Sequence, residues 1–316
     1  MSLRDSIIYI LEKNRGSFVS GQAIAEEAGV SRSAVAKCVS QLKADGYPIA
    51  SVNNMGHMLE QSCDILSESG IKANLEDFNG FVKVFDTIDS TSSEAKRMIA
   101  QGLNEPAIFA AEEQTAGRGR RGRSFFSPSK CGVYFSAVLY PGVALEDATA
   151  ITAAAAVAVV EAIKNATKKD PKIKWVNDIF IDNKKVCGIL TEAVSDFESG
   201  SVQAVIVGIG INLTTDCFPE ELACIAGSLG KQLDRCALIA DIFERLSRLC
   251  AVLPERSFMN DYREYSLVIG RSITFSRNGV DYTAVARSIT DSGELEVLTD
   301  SGEIMFLNSG EISIRL

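Results

Sequence analysis

Residues 22–45 have the sequence QAIAEEAGVSRSAVAKCVSQLKAD, and this stretch decides the fold of the N-terminal segment. Gln22 to Ala28 predicts a short helix, which Gly29 ends. Ser31 is an N-cap residue and begins a second predicted helix over residues 32–45. The second helix repeats apolar residues along one face, namely Val35, Val39 and Leu42. Helix, glycine turn and helix in this order predict a helix-turn-helix.

The flanking residues extend this prediction to a winged helix-turn-helix. Leu3 to Lys13 has apolar residues at helical spacing and predicts a preceding helix. Ile49 to Leu59, with Asn53-Asn54 and Gly56 in its middle, predicts a β-hairpin that would be the wing. The polar face of the second helix carries the candidate DNA contacts Arg32, Ser33, Lys37, Gln41 and Lys43.

Two interpretations of the N-terminal segment stay open. Its charges balance and its wing contains no Lys or Arg, which favours a small domain that only packs or dimerises. The basic residues of the second helix, however, face only Asp45 as a nearby acid, which favours phosphate contacts. We predict that the segment binds DNA.

Composition bounds the chemistry of the whole chain. The 316 residues are 46% hydrophobic and 23% charged, which is typical of a globular protein with two or three domains. The net charge of -9 excludes a polycationic nucleic-acid coat. His57 is the only histidine, so Ser-His-Asp triads, two-histidine zinc sites and HExxH sites are excluded. Catalysis must therefore use Lys, Arg, carboxylates and backbone dipoles.

The cysteines and the apolar segments predict a cytoplasmic protein. The eight cysteines form no CxxC pair, and no secretory leader precedes them, so we expect reduced thiols. The alanine-rich stretch Ala148 to Val160 is too short to span a bilayer, and we expect it to form a buried central helix. No segment makes a convincing membrane span.

The segmental pattern predicts an α+β multidomain protein. Residues 1–62 form the winged helix-turn-helix domain, and residues 63–80 are a polar linker with at most one helical turn. Residues 81–265 alternate β-like and helical runs, as an α/β domain does. Residues 266–316 contain short strands separated by glycines and predict a small β-barrel.

Three motifs of the central domain could carry chemistry. Residues 117–123 have the sequence GRGRRGR, in which four guanidinium groups and three glycines suit a phosphate-binding loop. Residues 174–178, KWVND, are followed by residues 184–190, KKVCGIL, and a turn at Asp182-Asn183 brings a lysine onto the next strand. Residues 208–212, GIGIN, place glycines in a strand, where a flat ligand can approach the backbone.

Each motif also has a simpler interpretation. The arginine loop could be a solvated basic loop or an RG-type nucleic-acid segment, Asn177-Asp178 could be turn formers, and Lys185 an exposed strand lysine. The GxG of residues 208–210 lacks a third glycine and a following helix, so it is not a Rossmann fingerprint. The chain also has no GxxxxGK[ST] motif, which excludes a P-loop ATPase.

Together the motifs resemble those of biotin-protein ligases. Ser90-Thr91, Gln114, GRGRRGR followed by Phe126-Ser127-Pro128, KWxND, KxxGIL and GIGIN have that family's order and spacing. The winged helix-turn-helix and the closing residues 310–315 resemble the bifunctional type, in which the ligase is also the biotin operon repressor. The similarity covers nearly the whole chain.

The resemblance implies a biotin-[acetyl-CoA-carboxylase] ligase with a class II synthetase-like mixed sheet and a C-terminal SH3-like β-barrel. The reaction would use biotin, ATP and Mg²⁺ to form biotinyl-5'-adenylate, then pass biotin to a lysine of the biotin carboxyl carrier protein. The adenylate-bound form would be a homodimer that binds operator DNA of the biotin genes. No membrane partner is implied.

The family's residue roles carry over to matching positions. The catalytic residues would be Lys185, Arg118 and Asp178, with Asp178 also a candidate contact for magnesium, which no protein cage would hold. The biotin site would comprise Ser90, Thr91, Ser92, Gln114, Arg118, Gly119, Arg120, Lys185, Gly188, Leu190, Gly208 and Gly210. The ATP and adenylate site would comprise Arg118, Arg120, Arg121, Arg123, Asn177, Lys185 and Asn212.

The chain departs from the family pattern at three positions. Ser92 replaces a common Asn, Val176 a frequent Pro, and Phe125 an aromatic Trp. None of these changes removes a charged group, and the residue that covers adenine is not identified by the sequence. Two alternatives remain, a ligase whose N-terminal domain does not bind DNA and a biotin-sensing repressor without turnover. A lipoate ligase fits less well, because GRGRRGR together with KxxGIL is typical of biotin ligases.

Overall fold

The computed structural model describes residues 2–140, 142, 148–195, 202–216, 218–277, 279–308 and 312–314. The chain forms two compact units. The first contains Met1–Val84 and Gln232–Asp241, and the second contains Phe85–Lys231 and Ile242–Leu316.

The helices and strands alternate along most of the chain. The helices are α1 (Leu3–Lys13), α2 (Gly21–Ala28), α3 (Arg32–Ala44), α4 (Glu68–Asn74), α5 (Thr91–Ala100), α6 (Ala148–Thr167), α7 (Glu220–Ala223), α8 (Arg235–Ala251) and α9 (Met259–Glu264). The strands are β1 (Ile49–Val52), β2 (Gly56–Leu59), β3 (Phe81–Ile88), β4 (Ala107–Gln114), β5 (Gly132–Leu139), β6 (Lys172–Lys174), β7 (Asp178–Ile181), β8 (Lys184–Ser195), β9 (Val202–Asn212), β10 (Ser272–Arg277), β11 (Val280–Ile289), β12 (Leu295–Thr299), β13 (Ile304–Leu307) and β14 (Ile312–Ile314).

The predicted helix-turn-helix is confirmed in the first unit. The Ser31 side chain accepts a hydrogen bond from the backbone N–H of Ala34 and caps α3. Gly29 ends α2 in the left-handed conformation, with φ of 66°, which favours glycine. The apolar stripe of α3 is buried against Ile7, Leu11 and Ile24, because Val35, Val39 and Leu42 share one helical face.

The predicted wing is also present. Strands β1 and β2 pair antiparallel, with Ile49 opposite Leu59 and Val52 opposite Gly56. The backbone of His57 exchanges two hydrogen bonds with Val19, at 2.8 and 2.9 Å, and these tie the hairpin to the residues that precede α2.

Residues 63–80, which we expected to be a linker, contain the packed helix α4. Ser67 caps this helix through the backbone N–H of Gly70, at 3.0 Å, and Ile71 and Ala73 are buried. Helix α4 packs against α1 within the first unit. The segment is therefore more ordered than its polar composition indicated, because its few apolar residues are buried.

A seven-stranded sheet forms the centre of the second unit. Its strand order is β3-β4-β5-β9-β8-β7-β6. The pairings from β4 across to β6 are antiparallel. Thr115 and Ala116 follow β4 and donate to the carbonyls of Ile88 and Asp89, so β3 and β4 end side by side and the sheet is mixed.

Helix α6 is the buried central helix that the alanine-rich sequence predicted. The side chains from Ala153 to Val160 have no exposed surface. Thr149–Thr167 is long and apolar enough to cross a membrane by length and composition alone. Its burial against β8 explains the apolar composition, because a core helix needs apolar residues on all sides.

The C-terminal strands form a separate sheet within the second unit. Its order is β13-β12-β11-β10-β14, with antiparallel neighbours. Gly270, Gly279, Gly293 and Gly302 have positive φ, as turns between short strands require. Of the predicted closing motif, Gly310, Glu311 and Arg315 lie outside the described residues.

Candidate functional site

A cavity of about 400 Å³ lies on the seven-stranded sheet of the second unit. Every residue that the sequence assigned to the biotin and ATP sites lines this cavity. These residues are Ser90, Thr91, Ser92, Gln114, Arg118, Gly119, Arg120, Arg121, Arg123, Asn177, Asp178, Lys185, Gly188, Leu190, Gly208, Gly210 and Asn212. The volume is within the range of small-molecule sites.

One end of the cavity carries a network of hydroxyl and amide groups. The backbone N–H of Thr91 donates to Oε1 of Gln114 at 2.9 Å, and Nε2 of Gln114 donates to Oγ of Ser127 at 3.0 Å. The hydroxyls of Thr91 and Ser92 lie 2.8 and 2.9 Å from Oγ of Ser136. This network holds Gln114 and Thr91 in fixed orientations toward the cavity.

Ser136 is a site residue that the sequence analysis missed. It is fully buried in β5, where its neighbours are apolar. Ser92 stands where the family commonly has Asn, and its hydroxyl bonds to Ser136. The sequence signal that could have identified Ser136 is its position as a lone serine within an apolar strand.

The floor of the cavity consists of glycines on two neighbouring strands. Gly188 of β8 pairs with Gly210 of β9, and Leu190 pairs with Gly208. A Cβ added to Gly208 would lie 2.7 Å from Oγ of Ser92, so no side chain fits there. The register thus brings three glycines together on two neighbouring strands, where other groups approach the backbone closely.

Phe125 covers part of this glycine floor. A Cβ at Gly210 would lie 2.7 Å from Cζ of the Phe125 ring, and a Cβ at Gly188 would lie 3.2 Å from Cε2. The ring also contacts Tyr134 in an edge-on arrangement, with 6.4 Å between centroids. The sequence named Phe125 only as a departure from the family's Trp, and the structure makes it a wall of the cavity.

The arginine loop folds back on itself beside the floor. The N–H of Phe125 donates to the carbonyl of Gly117 at 2.8 Å, and residues 120–122 form a single 3₁₀ turn. Arg120 donates to Oδ1 of Asn177 at 3.1 Å. Arg118 lies 3.5 Å from the carboxylate of Glu192. Arg121 and Arg123 are exposed at the rim, so the loop adds positive charge to one side of the cavity.

Lys185 and Asp178 face each other across the β7–β8 hairpin. Asp182 and Asn183 form its two-residue turn with positive φ values of 50° and 62°, as the sequence predicted. Nζ of Lys185 lies 2.7 Å from Oδ1 of Asp178. Both side chains are partly buried, so the lysine brings its charge into the cavity rather than into open solvent.

Cys187 is a buried residue of β8 near this pair. Burial raises the pKa of its thiol well above the ordinary range, and the nearby Lys185 offsets only part of that effect. The thiol is therefore protonated at neutral pH, and Cys187 is a core residue rather than a nucleophile.

The segment after β9 forms the opposite wall. Nδ2 of Asn212 donates to the carbonyl of Gly227 at 3.0 Å and closes this segment into a loop. Phe218 lies 6.3 Å from Phe126, measured between ring centroids. Phe218, Leu222 and Ile225 line the cavity here, and the sequence did not identify them. Their spacing of four and then three residues matches one face of a helix, and the short helix α7 lies within this segment.

The predicted DNA contacts occupy the first unit. Arg32, Ser33, Lys37, Gln41 and Lys43 are all exposed on α3, on the side away from its buried stripe. Gln41 donates to Asp45 at 2.9 Å, and the hydroxyls of Ser31 and Ser33 are 2.9 Å apart. The side chains of the two lysines and the arginine are therefore all accessible to solvent.

Comparison with known proteins finds matches along the whole chain. Residues 84–212 match the model of the biotin/lipoate A/B protein ligase family, residues 4–58 an HTH domain, and residues 268–315 the biotin protein ligase C-terminal domain. The bifunctional ligase/repressor BirA of Bacillus subtilis is 34% identical over 95% of both chains.

Two further matches cover a smaller share of this chain. The biotin--[acetyl-CoA-carboxylase] ligase of Mycobacterium tuberculosis is 29% identical over 71% of this chain and 85% of its own. The structure of the biotin protein ligase from Aquifex aeolicus in complex with biotin and ATP superposes with a TM-score of 0.63. It is 29% identical and covers 75% of this chain and 99% of its own.

Proposed function

This chain belongs to the family of bifunctional biotin ligases and repressors, and on that premise we propose how its cavity works. It is a biotin-[acetyl-CoA-carboxylase] ligase that uses ATP to join biotin to a lysine of a biotin carboxyl carrier protein. Its adenylate-bound form represses the biotin operon through the N-terminal helix-turn-helix.

The observation that carries this proposal is the composition of the single cavity described above. It combines a flat glycine floor, a hydrogen-bonding end with Thr91 and Gln114, and a cationic side with the arginine loop and Lys185. A polar ring system fused to an apolar ring fits the first two features, because buried polar ligand atoms need hydrogen-bond partners. A triphosphate fits the third.

In the first step, the biotin carboxylate attacks the α-phosphorus of ATP and pyrophosphate leaves. We propose that Lys185 lies beside the carboxylate and the α-phosphate, where negative charge accumulates in the transition state. Arg118, Gly119 and Arg120 fold over the adenylate, and Arg121 and Arg123 attract the triphosphate. Asn177 and Asn212 position the nucleotide.

In the second step, the carrier lysine attacks the acyl carbonyl and AMP leaves. The attacking amine must lose a proton, and Asp178 is the one carboxylate among the described residues that line the cavity. We propose Asp178 as its acceptor. The carboxylate is held beside Lys185, with 2.7 Å between Oδ1 and Nζ, at the end of the cavity where the acyl carbonyl would react.

Magnesium would arrive with the nucleotide. Among the described residues, no group of three or more His, Cys, Asp or Glu side chains is placed to hold a metal ion. The donor set thus fits an ion that is ligated mainly by phosphate oxygens and water, with Asp178 as the one protein carboxylate on offer. Mg²⁺ would supply charge neutralisation of the phosphates.

The finer architecture is part of the proposal. Residues 1–62 read DNA, residues 63–80 contain the packed helix α4, residues 81–265 form a class II synthetase-like ligase domain, and residues 266–316 form an SH3-like barrel. The return of β14 to pair with β10 supports the barrel. We place the protein in the cytoplasm, where ATP and the carrier are available, and expect a homodimer in the adenylate-bound state. The described cysteines are all free thiols, which fits this compartment.

The test is to incubate the chain with labelled biotin, MgATP and a carrier domain. The wild type should form biotinyl-adenylate and label the carrier, and Lys185→Ala should lose about 10²-fold or more in adenylate formation. No adenylate in the wild type would refute the ligase, and equal adenylate in both would refute the role of Lys185.

The same assay tests the role of Asp178. Asp178→Asn, supplied with saturating ATP, should transfer biotin to the carrier about 10²-fold more slowly, because an amide cannot accept the proton. An unchanged rate of carrier labelling would exclude Asp178 as the base.

A further inference from the structure

Glu192 stands at the edge of the cavity and has no role in the mechanism above. It lies on β8, two residues after Leu190 and four after Gly188. Because side chains alternate along a strand, Glu192 projects from the same face of the sheet as these two cavity residues. It does not itself line the cavity.

Two cations converge on one oxygen of this carboxylate. Nζ of Lys96, on α5, donates to Oε1 of Glu192 at 2.8 Å. Nη2 of Arg118, at the start of the arginine loop, lies 3.5 Å from the same oxygen. The other oxygen, Oε2, is buried and has no hydrogen-bond partner among the described residues.

Burying the Glu192 carboxylate costs free energy, which its ion pairs must offset. The Glu192 side chain is only 17% exposed, and a carboxylate at this depth loses hydration that its partners must replace. The ion pair with Lys96 alone would balance the single negative charge of Glu192. The guanidinium of Arg118, whose side chain is 45% exposed, forms a longer ion pair with the same oxygen and draws the first arginine of the loop toward the sheet.

Backbone contacts link Arg118 to the other end of the arginine loop. Arg118 pairs with Ser124 in an isolated β-bridge, and the N–H of Gly119 donates to the carbonyl of Arg123 at 2.7 Å. The position of Arg118 therefore determines where both ends of the loop stand. Arg120 and Arg121 lie between these two contacts.

We propose that Glu192 is a positioning residue of the ligase reaction, which acts through Arg118 to hold the arginine loop over the adenylate. This inference rests on the proposed function. Loss of the carboxylate should loosen the loop and let the adenylate escape sooner, while the chemistry of Lys185 continues.

The test is the rate at which labelled biotinyl-adenylate leaves the full-length chain. We expect Glu192→Gln to accelerate release about five-fold, the range of a partly exposed ion pair. Glu94→Gln is the matched control, because Glu94 forms an ion pair with Arg97 on α5 rather than with the arginine loop. The rate at which the adenylate leaves this variant should stay within about two-fold of the wild-type rate. Melting temperatures report on folding.

A double-mutant cycle separates positioning from a merely structural role. In an Arg118→Gln background, Glu192→Gln should add no further acceleration, because its target is already absent. Unchanged release in Glu192→Gln, or an equal acceleration in the Arg118→Gln background, would overturn the proposal. Absence of adenylate in the wild type would instead refute the proposed function.

Discussion

Gly210 shows how closely one residue position can be tied to the cavity. The Phe125 ring occupies the space that a side chain at this position would need. Gly188 lies opposite in the strand register, so the same ring covers both glycines. Because neither position has a side chain, the Phe125 ring can pack directly against the backbone of the two strands.

Gly210→Ala should weaken biotin binding and lower the stability of the fold. The new methyl group would push the Phe125 ring from its place, and overpacking of this kind costs about 1–3 kcal/mol. We expect the KM for biotin to rise about tenfold or more, as measured in the adenylate assay. Gly21→Ala is the control, because a Cβ added there would lie 3.9 Å from Nε2 of His57, at ordinary van der Waals distance. An unchanged KM would contradict the role of the floor.

The single histidine gives a second prediction at this scale. Burial, helped by the nearby Lys43, lowers the pKa of His57 below its usual value. The unfolded chain therefore binds a proton more readily, and the stability that the neutral ring contributes is lost as pH falls below about 6.5 toward the folded pKa.

His57→Gln should remove this dependence. In thermal unfolding between pH 7.5 and 5, the wild type should lose melting temperature faster than the variant, and the two should run parallel above pH 7. Carboxylates titrate in both proteins and cancel in the comparison. Parallel curves throughout the range would contradict the lowered pKa.

At the scale of elements, short-range signals predicted the N-terminal helices well. The structure begins α1 and α3 at the predicted residues, because N-cap serines and the apolar stripe act within one or two turns. The hairpin at Asp182-Asn183 was predicted for the same reason.

Non-local contacts explain what the sequence could not provide. Helix α4 has seven residues, too few for a periodic pattern, and its buried side appears only where α1 packs on it. Phe125 and Phe218 line the cavity, and Ser136 contacts the hydroxyls of Thr91 and Ser92, through strand register and loop closure that no spacing along the chain reveals. The charged and glycine-rich motifs were predicted because their chemistry is visible locally.

Helix α3 carries the prediction about DNA. The logarithm of the DNA-binding constant falls with the logarithm of the salt concentration, with a slope of about −0.9 for each phosphate that is neutralised. Removing one lysine that contacts a phosphate should therefore make this slope shallower by about 0.9. Lys37→Ala should therefore reduce the salt slope of operator binding by about that amount. Lys13→Ala, on α1, is the control and should leave the slope unchanged. Equal slopes for Lys37→Ala and the wild type would show that this helix face does not contact phosphate.

At the scale of the whole molecule, the charge distribution matches two anionic ligands. The chain has a net charge of -9, yet four arginines cluster in residues 117–123 and an exposed basic face occupies α3. Because local positive charge within an acidic chain attracts anions, we expect phosphates to bind at these two places rather than over the surface at large. The adenylate can then serve both as intermediate and as signal.

Such a shared signal requires that the adenylate change the DNA affinity. A ligand shifts an equilibrium only by its differential affinity for the two states. Biotinyl-adenylate in the cavity should therefore favour the state that binds the operator. The carrier protein, which consumes the adenylate, should favour the opposite state.

The most direct measurement is the affinity for operator DNA, by fluorescence anisotropy, before and after each substrate is added. Biotin with MgATP should tighten binding about tenfold or more. A carrier domain with its acceptor lysine should then weaken binding again, and a carrier whose lysine is replaced by arginine should not. An operator affinity that is the same with and without biotin and MgATP would contradict the account.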